Sequence, residues 1–413
     1  MAIADLTDWI EENTDRHIVW YVKRLSGNDT LANGSHQAGP YIPKEFLFEV
    51  FPSLHRADAE NPDTWFEVRI DSHGDARNVR ATWYNNKFRG GTRNEARLTN
   101  FGGAESALLD PESTGSLAVF AFHKDESGQA RVCRVWVCDH ETEADVIEDR
   151  IGPVEPGKFL IWTVDDRHSR EFQPSQRTSC WLEPEEIPAE WLTRFPTGAE
   201  IISRAIALRS DHRLAVDQRL LRRRDCEFQV FRSLEQAVEL PAIQAGFNNI
   251  DDFIARAQTI LQRRKSRSGR SLELHARAIF NEEQLRDGVD FDHQPESEPG
   301  KRPDFLFPSE VSYKDTRFPA NRLRMLAAKT TCKDRWRQIL NEADRIPVKH
   351  ILTLQEGISE NQFREMSEAS VQLVVPTPLM TTYPQTVRPY LQSLESFIAD
   401  VRLLNLNEPR PPI

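Results

Sequence analysis

Two short apolar runs in the last third of the chain end on groups suited to phosphate chemistry. Arg302-Pro303-Asp304-Phe305-Leu306-Phe307 sets a carboxylate at the mouth of one run, and Met325-Leu326-Ala327-Ala328-Lys329 ends the other on a lysine. Both runs are too brief for helices and read as buried strands. Pro303 fits a strand start, where its missing N–H does no harm. Asp on one strand and Lys on its neighbour suit hydrolysis of a phosphodiester: the carboxylate holds a divalent cation against the phosphate, and the ammonium stabilises charge or orients the attacking water. One carboxylate makes a weak metal site, and the position two residues before Lys329 is Ala327 rather than an acid. Glu273 is the best replacement. It lies in SLELHARAIF, where Leu272, Ala276, Ile279 and Phe280 form an i, i+4, i+7, i+8 stripe that sets Glu273 beside the buried face of a helix.

An Asp…Lys pair recurs by chance in any long chain; the flanking residues single this one out. Residues 263–270, RRKSRSGR, hold five basic side chains (Arg263, Arg264, Lys265, Arg267 and Arg270) and no acid. As an exposed segment at the start of the Glu273 helix, they suit phosphate and guanine contacts. After Lys329, the stretch from Thr330 to Arg337 reads as a helix capped by threonine. Lys333 then stands one turn past Lys329, within reach of the same phosphate, and Asp334 and Arg335 address base edges. A third basic run, Arg222-Arg223-Arg224, has no role legible from its neighbours beyond the expectation that at least one of its members faces solvent.

The elements that position these groups divide the chain in two. Residues 1–170 are strand-rich, with segments at 65–70, 79–84, 117–122, 132–137 and 159–164 separated by Gly/Asn/Asp/Pro turns, as in a barrel or sandwich. The polar stretch DRHSREFQPSQR, residues 166–177, has no periodicity and reads as a hinge, and the linker between domains is placed at 171–183. Residues 184–413 mix helices with short buried strands, which implies an α/β second domain. The chain has 413 residues and a net charge of −11, with a mean hydropathy of −0.58 and a pI near 5.6. An acidic total disfavours a non-specific nucleic-acid coat but not a specific DNA enzyme, whose phosphate contacts come from local basic patches. No run of 18 apolar residues exists, and the start of the chain lacks the basic and apolar parts of a signal peptide, so a cytoplasmic protein is expected. The five scattered cysteines read as buried reduced thiols rather than zinc ligands.

Longer blocks carry a resemblance. RRKSRSGRSLELH, KRPDFLFP and RMLAAKTTCKDRWRQILNEAD in the second half, and VKRLSGNDT, GSHQAGPYIP and TRNEAR in the first, resemble the EcoRII-like family of type II restriction endonucleases essentially end to end. The resemblance implies a C-terminal PD-(D/E)XK domain of α/β/α type, acting as a Mg²⁺-dependent homodimer, with Glu273, Asp304 and Lys329 in the catalytic positions and Lys333 and Tyr313 as further members. It implies cleavage of double-stranded DNA at CCWGG (W is A or T), two or more copies of the site being engaged. A cognate cytosine methyltransferase would protect host DNA without being a physical partner. It also implies an N-terminal β-rich pseudobarrel, similar to B3 DNA-binding domains, that binds a further copy of the site and obstructs the catalytic cleft until DNA engages it. Lys23, His36, Tyr41, Lys87, Arg89, Arg93, Glu95 and Arg97 match its contact positions. Their types suit a CC/GG target, since Arg forks onto guanine and Glu accepts from cytosine N4; Gly90 and Gly91 would let backbone approach DNA closely. The alternative is a sequence-specific DNA-binding regulator that retains the nuclease fold without cutting. The complete Glu273/Asp304/Lys329 set argues against it, because a protein that does not cut has no use for metal ligands.

Overall fold

The structure is a computed structural model that describes residues 3–34, 39–163 and 180–405. It divides into two compact units: Met1–Pro174 with Gln355–Phe363 and Thr381–Pro389, and Ser175–Leu354 with Arg364–Met380 and Tyr390–Ile413. The stretch read as a hinge, residues 166–177, lies outside the described residues. The mixed α/β class read from the sequence is the one observed, β-rich first and α/β second.

In the first unit the elements run α1 (Ile3–Glu12), β1 (Ile18–Arg24), α2 (Lys44–Val50), β2 (Asp63–Ile70), β3 (Asp75–Tyr84), β4 (Glu95–Thr99), β5 (Leu117–Lys124), β6 (Ala130–Val137), α3 (Glu141–Ile151) and β7 (Phe159–Thr163). The strands form one sheet in the order β4-β3-β2-β6-β5-β1-β7. All seven residues of β1 are buried, because successive side chains point to opposite faces and both faces are covered. Val19 and Tyr21 join a cluster with Phe46, Phe66 and Phe122. Ile18, Trp20 and Val22 join a second cluster with Leu6 and Trp9 of α1 and Ile147 of α3. Strand β2, covered on one side, alternates instead. Among the described residues the edge strands β4 and β7 each pair on one side only, so the sheet curls without closing.

The second unit begins with α4 (Ala189–Thr193), α5 (Gly198–Leu208), α6 (Val216–Ala245) and α7 (Ile250–Glu282). There follow β8 (Asp292–His293), β9 (Phe305–Phe307), α8 (Glu310–Lys314), β10 (Arg324–Ala328), β11 (Lys349–Leu352), α9 (Glu360–Glu368), β12 (Val371–Val374) and α10 (Leu394–Asn405). The sheet order is β12-β11-β10-β9-β8; β10, β11 and β12 are parallel, while β9 and β8 are antiparallel additions. Leu272, Ala276, Ile279 and Phe280 of α7 bury against Phe305, Phe307, Leu326 and Leu352 of the sheet, so the stripe read from the sequence is the packing face.

Helix α7 corrects one expectation. RRKSRSGR is not an exposed helix start: it lies inside a continuous 33-residue helix. Its face toward α6 is cemented by charge rather than by apolar contact. Arg263 pairs with Glu239 at 2.6 Å, Arg264 with Glu235 at 2.7 Å and Arg267 with Glu227 at 2.8 Å. The Arg263 guanidinium also lies 3.8 Å from the centroid of the Phe195 ring. The run Arg222–Arg224 is divided in the same way. Arg223 is fully buried, with Nη1 donating to both oxygens of Glu282 and Nε to the Arg209 carbonyl. Arg224 is buried beside Glu227, and Arg222 is the exposed member.

The expectation of reduced thiols is also corrected. Cys180 and Cys226 form a disulfide, because the chain before α4 folds onto α6 in one cluster with Trp191, Ile201 and Phe231, a juxtaposition that a spacing of 46 residues conceals. Cys133, Cys138 and Cys332 are buried and lie outside that disulfide. No described helix is long and apolar enough to cross a membrane.

Phe280 ties α7 to the sheet: it is wholly buried, with edge contacts to Phe291, Phe305 and Phe307. Phe280→Ala is expected to lower stability by about 3–5 kcal/mol, read from denaturant midpoints of the second unit's transition; an unchanged midpoint would show that α7 is held by its ion pairs alone.

Candidate active site

Antiparallel pairing of β9 with β10 sets Phe305 opposite Leu326 and Phe307 opposite Arg324. Asp304, one residue before β9, and Lys329, one residue after β10, therefore arrive at the same end of the sheet. Asp304 Oδ2 accepts the Ala328 backbone N–H at 2.7 Å and the Lys329 ammonium at 3.2 Å. Both bonds fall on one oxygen. The Lys329 backbone is fixed in turn, its N–H donating to the Leu352 carbonyl at 2.9 Å. Neither side chain is sealed from solvent (14% and 25% exposed), as groups that must meet a phosphate require.

Glu273 reaches this region from α7. It is 5% exposed, and its Oε1 accepts from Gln294 Nε2 at 2.7 Å and meets His293 Nε2 at 2.5 Å. His293 lies on β8, which pairs with β9 directly after Asp304, and the Gln294 N–H donates to the Asp304 carbonyl at 2.9 Å. The two carboxylates thus share a frame without touching.

A further acid was not evident in the sequence. Glu342 follows the 3-10 segment Arg335–Asn341. Burial pushes its carboxyl up to about 7, with the Asp304 charge adding to the shift and Lys329 and Lys349 opposing it. Glu342 therefore stands within electrostatic range of both Asp304 and Lys329. Nothing in NEAD distinguishes it from Asp344, which pairs with Lys301; only the path of the chain does.

Several expected members are placed differently. The stretch after Lys329 is not a threonine-capped α-helix: Lys333 and Asp334 form a turn, and Arg335 opens a 3-10 segment. Lys333 is thus not one α-helical turn past Lys329, although it remains four residues on in the same connection. Tyr313 is buried, its hydroxyl donating to Glu298 and accepting the Arg345 N–H at 3.1 Å. Burial and Glu298 raise its pKa, and no hydrogen bond joins it to Glu273, Asp304 or Lys329. Of the basic run on α7, Arg263, Arg264 and Arg267 are held by α6 carboxylates, whereas Lys265 and Arg270 lie on the exposed side of the helix.

In the first unit, a cavity of about 1110 Å³ is lined by Lys23, Tyr41, Arg93, Glu95 and Arg97, together with residues of β1, β4 and β7. Glu95 and Arg97 pair at 3.1 Å on one face of β4, and the Arg93 guanidinium lies 5.8 Å from the centroid of the Tyr84 ring. Lys23 is buried against Asp29 at 2.7 Å. Lys87 and Arg89 sit on a neighbouring 3-10 turn, with Arg89 donating to Asn85, and do not line the cavity. His36 lies outside the described residues. The glycines serve the turn itself: Gly90 takes a φ of +84° at its end, and a Cβ on Gly91 would meet the Asn86 side chain at 2.6 Å.

Among the described residues, no three His, Cys, Asp or Glu side chains form a ready metal cage. The donor chemistry nevertheless fits a magnesium-like ion, which is bound through one or two carboxylates with water and substrate phosphate supplying the rest. Asp304 has an oxygen outside its hydrogen bonds, and Glu342, raised chiefly by burial and further by the Asp304 charge, is a second acid within electrostatic range that a cation would favour in its charged form.

Comparison with known proteins identifies the family. The family model "EcoRII C terminal" matches residues 231–398, and "Restriction endonuclease EcoRII, N-terminal" matches residues 14–166. "Type II restriction enzyme EcoRII" of Escherichia coli is 42% identical over 405 residues, 97% of this chain and 98% of that protein. Among solved structures, metal-depleted Ecl18kI in complex with uncleaved, modified DNA matches at 18% identity and a TM-score of 0.44, covering 56% of this chain and 88% of that one. The UbaLAI restriction endonuclease B3 domain with cognate DNA matches at 17% identity and a TM-score of 0.27, covering 38% and 98%. With both halves matched by that family's models and a relative aligned nearly end to end, the chain belongs to the EcoRII family of type II restriction endonucleases and is a site-specific deoxyribonuclease.

Proposed function

We propose that this enzyme is a Mg²⁺-dependent homodimer that cleaves double-stranded DNA at CCWGG, using Asp304, Lys329, Glu273 and Glu342 as its chemical groups. The observation that carries the proposal is the contact of Asp304 with Lys329 across the ends of β9 and β10. Asp304 and Glu342 would hold the ion, with Glu273 completing its oxygen environment. A bound Mg²⁺ supplies Lewis-acid polarisation of the phosphate and a more acidic attacking water. The Lys329 ammonium stabilises the negative charge that builds on the phosphate oxygens, and the Asp304 carboxylate keeps that ammonium aimed. Asp334 and Arg335 are assigned to base edges, and Lys333, Lys265 and Arg270 to phosphates; Arg263, Arg264 and Arg267 serve the join of α6 to α7 first. Tyr313 is given a structural role.

A duplex has two strands and each chain one Asp304–Lys329 pair, which supports a two-fold dimer on a nearly symmetric site. The 42% identity to EcoRII supports CCWGG. The same relationship supports residues 1–170 as a B3-like effector domain, 171–183 as the linker and 184–413 as the catalytic domain, in a cytoplasmic restriction-modification system whose methyltransferase acts separately. The cavity holding Lys23, Tyr41, Arg93, Glu95 and Arg97 is the proposed seat of the second DNA copy.

Digestion of plasmids carrying no, one or several CCWGG sites, with sequencing of the ends, tests this reading. Mg²⁺-dependent cuts at CCWGG, favoured by several sites, are expected; cuts at another sequence would overturn the specificity, and none by folded protein would overturn the chemistry. Asp304→Ala is expected to reduce cleavage by at least about a thousandfold, and Glu342→Gln by about a hundredfold or more, with metal-free DNA binding kept within a few-fold. Glu342→Gln cutting at the parent rate would remove that residue from the site. If the N-terminal domain restrains the catalytic one, the 176–413 fragment should cut single-site DNA faster than the full chain; an equal or slower rate from folded, dimeric fragment would exclude that restraint.

A further inference from the structure

Gln294 bonds to the frame of two of the three candidate metal-site carboxylates, Asp304 and Glu273, which come from different elements. Its backbone N–H donates to the Asp304 carbonyl at 2.9 Å and its side-chain amide to Glu273 Oε1 at 2.7 Å. Its φ is +53°, in the left-handed region that favours glycine and asparagine and costs other residues free energy. Backbone conformation alone would therefore select Gly or Asn here. What glutamine adds is reach: asparagine carries the same amide one methylene shorter. With the amide and His293 both on Oε1, Glu273 is held by one oxygen and presents the other.

We propose that Gln294 is a positioning residue that fixes Glu273 relative to Asp304, so that the two carboxylates stand ready at a common cation. This rests on the reading of the site as a metal-dependent nuclease centre. Residues that orient ligands in this way typically change metal affinity or activity by about 10–100-fold when removed. The side chain is exposed and tethers no apolar cluster, so a purely structural role would leave metal binding unmoved.

The test compares full-length parent, Gln294→Gly, Gln294→Asn and Asp304→Asn. Mn²⁺ binding to the DNA-free protein is followed by loss of the free-ion paramagnetic resonance signal, alongside thermal unfolding and the Mn²⁺ concentration for half-maximal single-turnover cleavage. Both Gln294 substitutions suit the left-handed backbone, so unfolding temperatures should hold or rise. Mn²⁺ binding and the cleavage midpoint should each weaken about tenfold, while Asp304→Asn abolishes binding. If Asp304→Asn loses the ion and the folded Gln294 variants bind it like the parent, Gln294 does not position the site and the nuclease reading stands. If Asp304→Asn also binds like the parent, the metal-centre reading fails and takes this proposal with it.

Discussion

The hydrogen bond from the Ala328 backbone to Asp304 Oδ2 is the constraint on which the active end of the second unit depends. It forms because β9 runs antiparallel to β10, which brings the start of one strand beside the end of the other. Had β9 joined as a parallel strand, Asp304 and Lys329 would lie at opposite ends of the two strands and could not meet. The bond also converts a side chain into part of the ladder: the aspartate is held by a backbone group that cannot move without opening the β10–β11 pairing.

Glu273 is positioned by a different force. The end of α7 that carries it is fixed by aromatic packing, with Phe280 against Phe291, Phe305 and Phe307, while the rest of the helix is fixed by guanidinium–carboxylate contacts to α6. Glu227 and Glu235 are almost completely buried. An unpaired charge there would be strongly unfavourable, so each acid requires its arginine. The ladder therefore sets the register of the two helices, a task that apolar contact along so polar a pair would leave loosely specified.

The legibility of the chain follows from these forces. The Glu273 stripe, the two chemistry-bearing strands and most first-unit strands were readable because apolar burial leaves a period in the sequence. The α6–α7 join was not, because a ladder of opposite charges reads as solvated surface until the partner helix is known; RRKSRSGR therefore looked like an exposed helix start. Glu342 was hidden for a related reason. Its place is set by an irregular connection, and such segments leave no period to read. Cys180 with Cys226 shows the same limit for a covalent link: their meeting is a property of the packed helices, not of their spacing.

The unclosed sheet of the first unit has a mechanical consequence. In a closed barrel the width of any opening is locked by a continuous ring of hydrogen bonds, and widening it means breaking some of them. Here, among the described residues, β4 and β7 each pair on one side only and both contribute to the lining of the cavity. The gap between them can change by bending of the sheet with every existing ladder intact. The two walls of that cleft are thus joined through the sheet on one side only, as the arms of a clip are and the wall of a ring is not.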